Sequence, residues 1–186
     1  MKDVIVIGGG VSGLQAAVFT AKAGEETLVL DNDQSLVYNT SNIQNLIGHE
    51  SIGGHELLKR GRDKLEEFDG ERKETEVTTV ERSDEGFRVE TEDGEYTAEY
   101  IVVASAGSHD FLDPLDIQFE EGVEGQYYMD QHLKTDESNR AGEQIYAAGL
   151  ANSWEYQTSV AIGDGAKAAV NLLRDKYGEP YMDHDT

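Results

Sequence analysis

The chain contains no cysteine. That count alone excludes disulfide staples, thiolate metal sites, cysteine nucleophiles and any thiol relay carried by these 186 residues. Proline is nearly as scarce, with two residues, and no Pro/Ser-rich stretch interrupts the chain, so no linker between independent domains is visible. Cations are few: 15 Lys plus Arg stand against 38 Asp plus Glu, a formal net charge of -23. Nucleic acid is therefore not an expected partner, because phosphate backbones are held by clustered Lys and Arg. Long apolar runs are also missing, and none approaches the roughly 18 residues of a membrane span. The opening MKDVIVIGGG has too short an apolar run and too early a glycine cluster for a signal peptide. A soluble, cytoplasmic protein without membrane contact is expected.

What is present fits one domain, 1–186, since domains commonly hold roughly 100–200 residues. The acid excess has two readings. Disorder is one, but the hydrophobic runs and glycine signals oppose it. The other is a salt-rich, halophilic cytoplasm: in molar salt the Debye length shrinks to about 3 Å, and a carboxylate-covered surface escapes most of its self-repulsion.

Val4 to Ile7 form a β-branched run suited to a strand buried on both faces of a parallel sheet. It leads into Gly8-Gly9-Gly10-Val11-Ser12-Gly13, a G-x-G-x-x-G turn. There Gly8 permits the tight turn, Gly10 lets a pyrophosphate approach the backbone, and Gly13 lets helix and strand pack closely. The following Leu14-Gln15-Ala16-Ala17-Val18 suits a helix whose first amides can hold a diphosphate. A second strand, Thr27 to Leu30, ends at Asp31, an acid placed to accept adenosine ribose hydroxyls. Alone the glycine pattern is weak; between a strand and a helix, with an acid after the next strand, it points to a dinucleotide.

Farther on, an irregular loop, Asn42 to Gly48, enters a helix that runs to about Phe68. Alternation over Glu76 to Arg82, Gly86 to Thr91 and Tyr96 to Ala98, with Asp93-Gly94 as a turn, predicts a small antiparallel meander. Tyr100 to Ala104 reads as another buried strand, followed by Ser105-Ala106-Gly107. The chain then passes through Leu115-Asp116-Ile117 and Gln126 to Asp130 to Leu133-Lys134-Thr135, and on to Gln144-Ile145-Tyr146-Ala147-Ala148-Gly149. A helix with small residues at Ala161, Gly163, Gly165, Ala166 and Ala169 begins near Gln157. Close packing on the first strand-helix unit would explain those small residues.

These segments resemble the FAD-binding part of thioredoxin reductases, in the family's order and over nearly the whole chain. Asn42 to Leu58 is similar to the family's N-F-P-G … G-x-E-L stretch beside the flavin ring, with Ile47 where proline is common. Residues 104–107 resemble its strand-then-A-T-G segment, and Gln144 to Gly149 its g-I-y-A-A-G-D segment. Tyr156-Gln157 to Ala169 resembles its closing R-Q … A-x-G-D-G-A helix. The resemblance implies an α/β, three-layer Rossmann-like fold, a parallel sheet with helices plus a small antiparallel meander, and FAD as cofactor. It implies that residues 1–110 and 140–175 are the two FAD-binding halves, joined directly: no second G-x-G-x-x-G occurs, and the joining stretch is too short for an NADPH domain.

The candidate cofactor-binding set is Gly8, Gly10, Val11, Ser12, Gly13, Asp31 and Asn32 from the opening unit, and Asn45 from the loop. Ala104, Ser105, Ala106 and Gly107 follow the later strand, and Gly149, Leu150, Tyr156, Gln157 and Thr158 close the site. No catalytic residue and no metal site is assigned. Two departures stand out. Leu150 replaces the acid that holds the ribityl chain, and leucine accepts no hydrogen bond; Asn152 is the nearby polar group that could compensate. Tyr156 replaces an arginine, and with Trp154 it either stacks on a ring or fills core space. His49 and His55 read as surface or loop-packing residues, and His109-Asp110 and Asp183-His184-Asp185 as solvated ends. The expectation is an FAD-dependent oxidoreductase served by a partner protein or by NAD(P)H as diffusible reductant; the alternatives are a regulatory module on the same fold, or NAD at the glycine turn. A homodimer is expected to cover apolar surface left by the absent domain.

Overall fold

The computed structural model describes residues 1–122 and 131–182. Among these residues ten strands and three α-helices follow one another as β1 (Lys2–Ile7), α1 (Val11–Lys22), β2 (Thr27–Asp31), α2 (Gly54–Glu67), β3 (Glu71–Glu74), β4 (Val77–Ser83), β5 (Gly86–Thr91), β6 (Gly94–Val103), β7 (Phe119–Glu121), β8 (Gln131–Leu133), β9 (Arg140–Gly142), β10 (Ile145–Ala147) and α3 (Thr158–Tyr177). The sheet runs β3-β2-β1-β6-β10-β9. Its pairings from β3 to β10 are parallel, and β9 closes the edge antiparallel.

The apolar run predicted as a two-faced strand lies at the centre of this sheet, and alternation along it divides the core. Val4 and Val6 face one layer with Leu14, Val29, Val102, Ala169 and Leu172, under α1 and α3. Ile5 and Ile7 face the other with Leu28, Leu30, Phe87, Val89 and Ile101, under the β4–β5 ribbon. The result is the expected three-layer, Rossmann-like α/β arrangement of helices, sheet and meander. Fully burying one such aliphatic side chain is worth about 1.5–3 kcal/mol, so both faces of β1 hold the sheet in place.

In two places the sequence reading is corrected. Tyr96 to Ala98 and Tyr100 to Ala104 are not separate strands: β6 is continuous, its first half pairing antiparallel with β5 and its second half parallel with β1 and β10. One strand thereby carries the meander off the sheet. The second correction is β3, Glu-Arg-Lys-Glu, a parallel edge strand with no apolar residue to signal it. Its charges suit an edge that must not recruit another chain.

The acid excess is locally matched at the base of the sheet. Lys176, in the last turn of α3, gathers Asp3 at 2.7 Å, Glu25 at 2.7 Å and Glu99 at 2.9 Å. Burial opposes its charge, but the hydrogen bonds to these three carboxylates outweigh burial and raise its pKa above the ordinary lysine value. No described helix is long and apolar enough to cross a membrane. The Gln126 to Asp130 and Asp183-His184-Asp185 readings lie outside the described residues.

Candidate functional site

A cleft of about 490 Å³ opens at the carboxyl ends of β1, β2 and β6, the edge at which parallel sheets of this kind bind ligands. The turn after β1 forms its floor. Gly8 has φ +105°, and a Cβ there would stand 2.7 Å from the Ala104 carbonyl oxygen. A Cβ on Gly13 would stand 1.9 Å from the Gly8 carbonyl oxygen. These contacts let α1 begin against the sheet. Gly10 is its N-cap and no side chain caps it, so the first amides of the helix, which lack intrahelical partners, open toward the cleft with the positive end of the dipole.

At one end of the cleft lies Asp31, 5% exposed. Arg72 of β3 donates to its Oδ2 from Nη2 at 2.8 Å and Nε at 3.1 Å, and from Nη2 to Asp33 at 2.9 Å. Asp33 also accepts the Tyr38 hydroxyl at 2.6 Å and a hydrogen bond from Arg62. The Tyr38 hydroxyl, then the Arg62 guanidinium, holds the Asp33 carboxyl below the ordinary range against the opposing effect of burial. Asn32, Gln34, Thr75, Glu76 and Val77 complete this end.

Residues 104–108 line the middle. Two hydroxyl oxygens of the cleft-lining residues, Thr75 Oγ1 at the Asp31 end and Ser105 Oγ in the middle, are buried without a hydrogen-bond partner among the described residues. A buried orphan costs about 1–3 kcal/mol, so a ligand carrying polar groups would relieve both. Under this segment sits His109, 2% exposed, its ring against Phe111 and Phe119 at centroid distances of 5.9 and 6.1 Å. The reading of His109 as a solvated end is thus wrong: the two aromatics, one distant in sequence, enclose it. Burial pushes its imidazole below the ordinary 6.5.

The other end is open. Leu150 lines it, partly buried, with Glu155, Tyr156, Thr158 and Ala161. Ile47 is 100% exposed, Trp154 45% and Tyr156 53%, so Trp154 fills no core space. Asn152 is not positioned to replace the missing acid. Its Oδ1 accepts the Thr135 hydroxyl at 2.6 Å, its amide donates to Asp164 at 3.0 Å, and it does not line the cleft.

Of the residues proposed from sequence, Gly8, Gly10, Val11, Ser12, Asp31, Asn32, Ala104, Ser105, Ala106, Gly107, Leu150, Tyr156 and Thr158 line this one cleft. Gly13, Gly149, Asn45 and Gln157 stand outside its lining. Gly149, at φ +65°, donates its amide to Asp164 at 2.7 Å and leaves no room for a Cβ beside Ser12. Asn45 donates to Gln157 Oε1 at 3.2 Å, and its carbonyl accepts the Ser159 hydroxyl at 2.8 Å, tying the loop to the start of α3. Gly165 of that helix presses on the Ser12 carbonyl, where a Cβ would stand 2.1 Å away. Sequence reasoning missed Gly9, Thr75, Glu76 and Arg72. The last three come from the charged stretch around β3, which carries no motif; Gly9 occupied a position the glycine pattern leaves free.

Comparison with known proteins agrees with this architecture. A family model described as pyridine nucleotide-disulphide oxidoreductase matches residues 2–144. A thioredoxin reductase of Aquifex aeolicus (strain VF5) is 38% identical over 108 residues, 55% of this chain and 33% of its own. A ferredoxin--NADP reductase of Streptococcus sanguinis (strain SK36) is 24% identical over 159 residues, 81% of this chain and 48% of its own. The chain spans about a third of the length of the curated thioredoxin reductases it matches. Among solved structures, a thioredoxin reductase from Gloeobacter violaceus superposes with a TM-score of 0.81 at 17% identity, covering 100% of this chain and 98% of that one. One from T. acidophilum gives 0.72 at 19%, covering 95% and 99%. At such identities the structures speak for the fold, whereas the family model speaks for descent: the chain belongs to the pyridine nucleotide-disulphide oxidoreductase family, as a thioredoxin reductase-like member.

Proposed function

We propose that the chain is an FAD-binding flavoprotein with an oxidoreductase role, residues 1–110 and 140–175 forming one FAD-binding unit. The observation that carries the reading is the uncapped start of α1 opening onto a cleft whose wall holds two orphaned hydroxyls, Thr75 Oγ1 and Ser105 Oγ. The amides of Val11 and Ser12 would hold the diphosphate, so an acidic protein can take an anionic ligand without lysines. Asp31 would accept from the ribose. The amino end of α3, also without a side-chain cap, would face the ring and favour negative charge there. FAD, when bound, supplies the electron and hydride chemistry, and the protein supplies orientation and electrostatics.

With no cysteine in these residues, the dithiol relay has no carrier here, and electrons would pass to a partner protein or come from NAD(P)H as diffusible reductant. The net charge of -23 supports a halophilic cytoplasm. Exposed Ile47, Trp154 and Val160 support a homodimer, which light scattering would test. For the main reading, protein prepared in molar KCl is expected to carry, or to take up, a yellow flavin; protein that stays colourless and shows no heat of binding with added FAD would overturn it.

Leu150 favours a second reading, a regulatory module that binds FAD or a related dinucleotide with little turnover. Anaerobic titration separates the two. An oxidoreductase has its flavin bleached by NAD(P)H or a cellular donor, and a module does not.

A further inference from the structure

The Asp31 carboxylate is asymmetric. Both hydrogen bonds from Arg72 fall on Oδ2, and a carboxylate oxygen has two lone pairs, so Oδ2 is saturated. The residue lines the cleft, and among the described residues its side-chain hydrogen bonds all fall on that one oxygen. Two neighbours hold it in this pose. A Cβ on Gly9 would stand 2.4 Å from Asp31 Oδ2 and 2.5 Å from its Cγ, so the carboxylate lies directly on the glycine backbone. Arg72 is held in turn by Asp33, at 2.9 Å, and Asp33 is anchored by Tyr38 and Arg62. The guanidinium cannot swing off Asp31 without giving up Asp33 as well.

We propose that Arg72 and Gly9 are positioning residues that make Asp31 a reader of a single ribose hydroxyl: Oδ1 accepts from one of the two hydroxyls of the adenosine ribose, and the other finds no acceptor on this carboxylate. The proposal rests on the reading that the cleft takes an adenine dinucleotide. It goes beyond it, because an acid free on both oxygens would accept both hydroxyls alike. Arg72 also offsets the charge of Asp31 where an anionic diphosphate must approach, a useful arrangement in a chain this acidic.

Calorimetric titration of the intact protein in molar KCl with ADP, 2′-deoxy-ADP and 3′-deoxy-ADP tests it. One deoxy analogue is expected to bind like ADP and the other about tenfold or more weakly, the loss of one hydrogen bond to a charged group. In Gly9→Ala, where the new methyl displaces a movable side chain, and in Arg72→Gln, which frees Oδ2, the difference between the analogues is expected to vanish, with Arg72→Lys restoring part of it. A purely structural role would lower all three affinities together and leave their ratio unchanged. Equal losses for both analogues in the native protein, or an undiminished ratio in the variants, overturns the proposal. Should Arg72→Gln fail to fold, Gly9→Ala decides alone. Failure of ADP itself to bind the native protein is a different result, and it counts against the dinucleotide reading.

Discussion

At the end of the cleft proposed to take the diphosphate the contacts are made by backbone and by a buried ion cluster, whereas at the end proposed to take the ring they are made by half-exposed side chains. Gly8 and Gly13 lie so close to the Ala104 and Gly8 carbonyls that neither admits a Cβ, and Asp31 is buried and doubly held by Arg72. Across the cleft, Leu150 offers no acceptor and Trp154 and Tyr156 stand about half in solvent. Geometry of the first kind is part of the core and changes only if the fold changes. Geometry of the second kind can drift residue by residue, and there the chain departs from the family's pattern. The two ends are therefore separable, and each can be perturbed without the other.

The largest effect is expected at the glycine turn. In Gly13→Ala the new methyl meets a carbonyl oxygen that cannot rotate away, an overpacking that costs about 1–3 kcal/mol of stability and more than about tenfold in ADP affinity. The matched change toward the ring end is Gly163→Ala in α3, where a Cβ meets nothing within 4 Å. It should leave ADP binding unaltered and raise stability by a few tenths to about 1 kcal/mol through helix propensity. Thermal melts and ADP titrations of the two variants compare the ends directly, and equal losses would erase the distinction. Next in size is Leu150→Asp. Restoring an acceptor should tighten FAD by about tenfold, one hydrogen bond to a charged group, with ADP unchanged. If both ligands gain equally, the ends are not independent.

The same division explains what could be read in the sequence. The glycine turn, β1, β2 and Asp31 were legible because backbone demands leave few residue choices: a left-handed φ at Gly8 or a backbone contact at Gly13 admits little else. The closing helix was legible because Gly165 must touch Ser12. What escaped was set by tertiary contact. Glu71 to Glu74 pair with β2 as an edge without any apolar periodicity, so Arg72 gave no sign of reaching Asp31. His109 is polar and flanked by Ser108 and Asp110, and its apolar surroundings come from the packing of Phe111 and Phe119 against its ring. Asn152 looked available beside Leu150, yet Thr135 and Asp164 already occupy its amide.

Salt gives a smaller effect of diagnostic sign. Where lysines hold a phosphate, salt weakens binding through counterion release. In the proposed site amides and a helix dipole would face the anion inside a chain of net charge -23, so screening should remove more repulsion than attraction. Over the range of KCl in which circular dichroism shows the chain folded, ADP affinity is expected to rise several-fold with salt, while riboflavin, which has no phosphate, should bind at the ring end with little change. A fall in ADP affinity would mean that side-chain cations, Arg62 and Arg72 first among them, hold the phosphates.

The smallest effect concerns His109, beneath the 104–108 segment that spans both ends. Burial lowers its folded pKa below 6.5, so below that value the unfolded chain binds the proton the folded chain refuses. The stabilisation is complete above the unfolded pKa and is lost as pH falls from there toward the folded pKa. The native protein is therefore expected to lose stability as pH falls from about 7.5 to about 5.5. The quantity to measure is the difference between native protein and His109→Leu in urea midpoints at the two pH values, which cancels whatever the other titrating groups contribute. That difference should shift toward the leucine variant on acidification. Because the segment above His109 is shared, ADP and FAD should lose affinity together in acid; loss of FAD alone would place His109 with the ring end and move the boundary between the two regions toward β6.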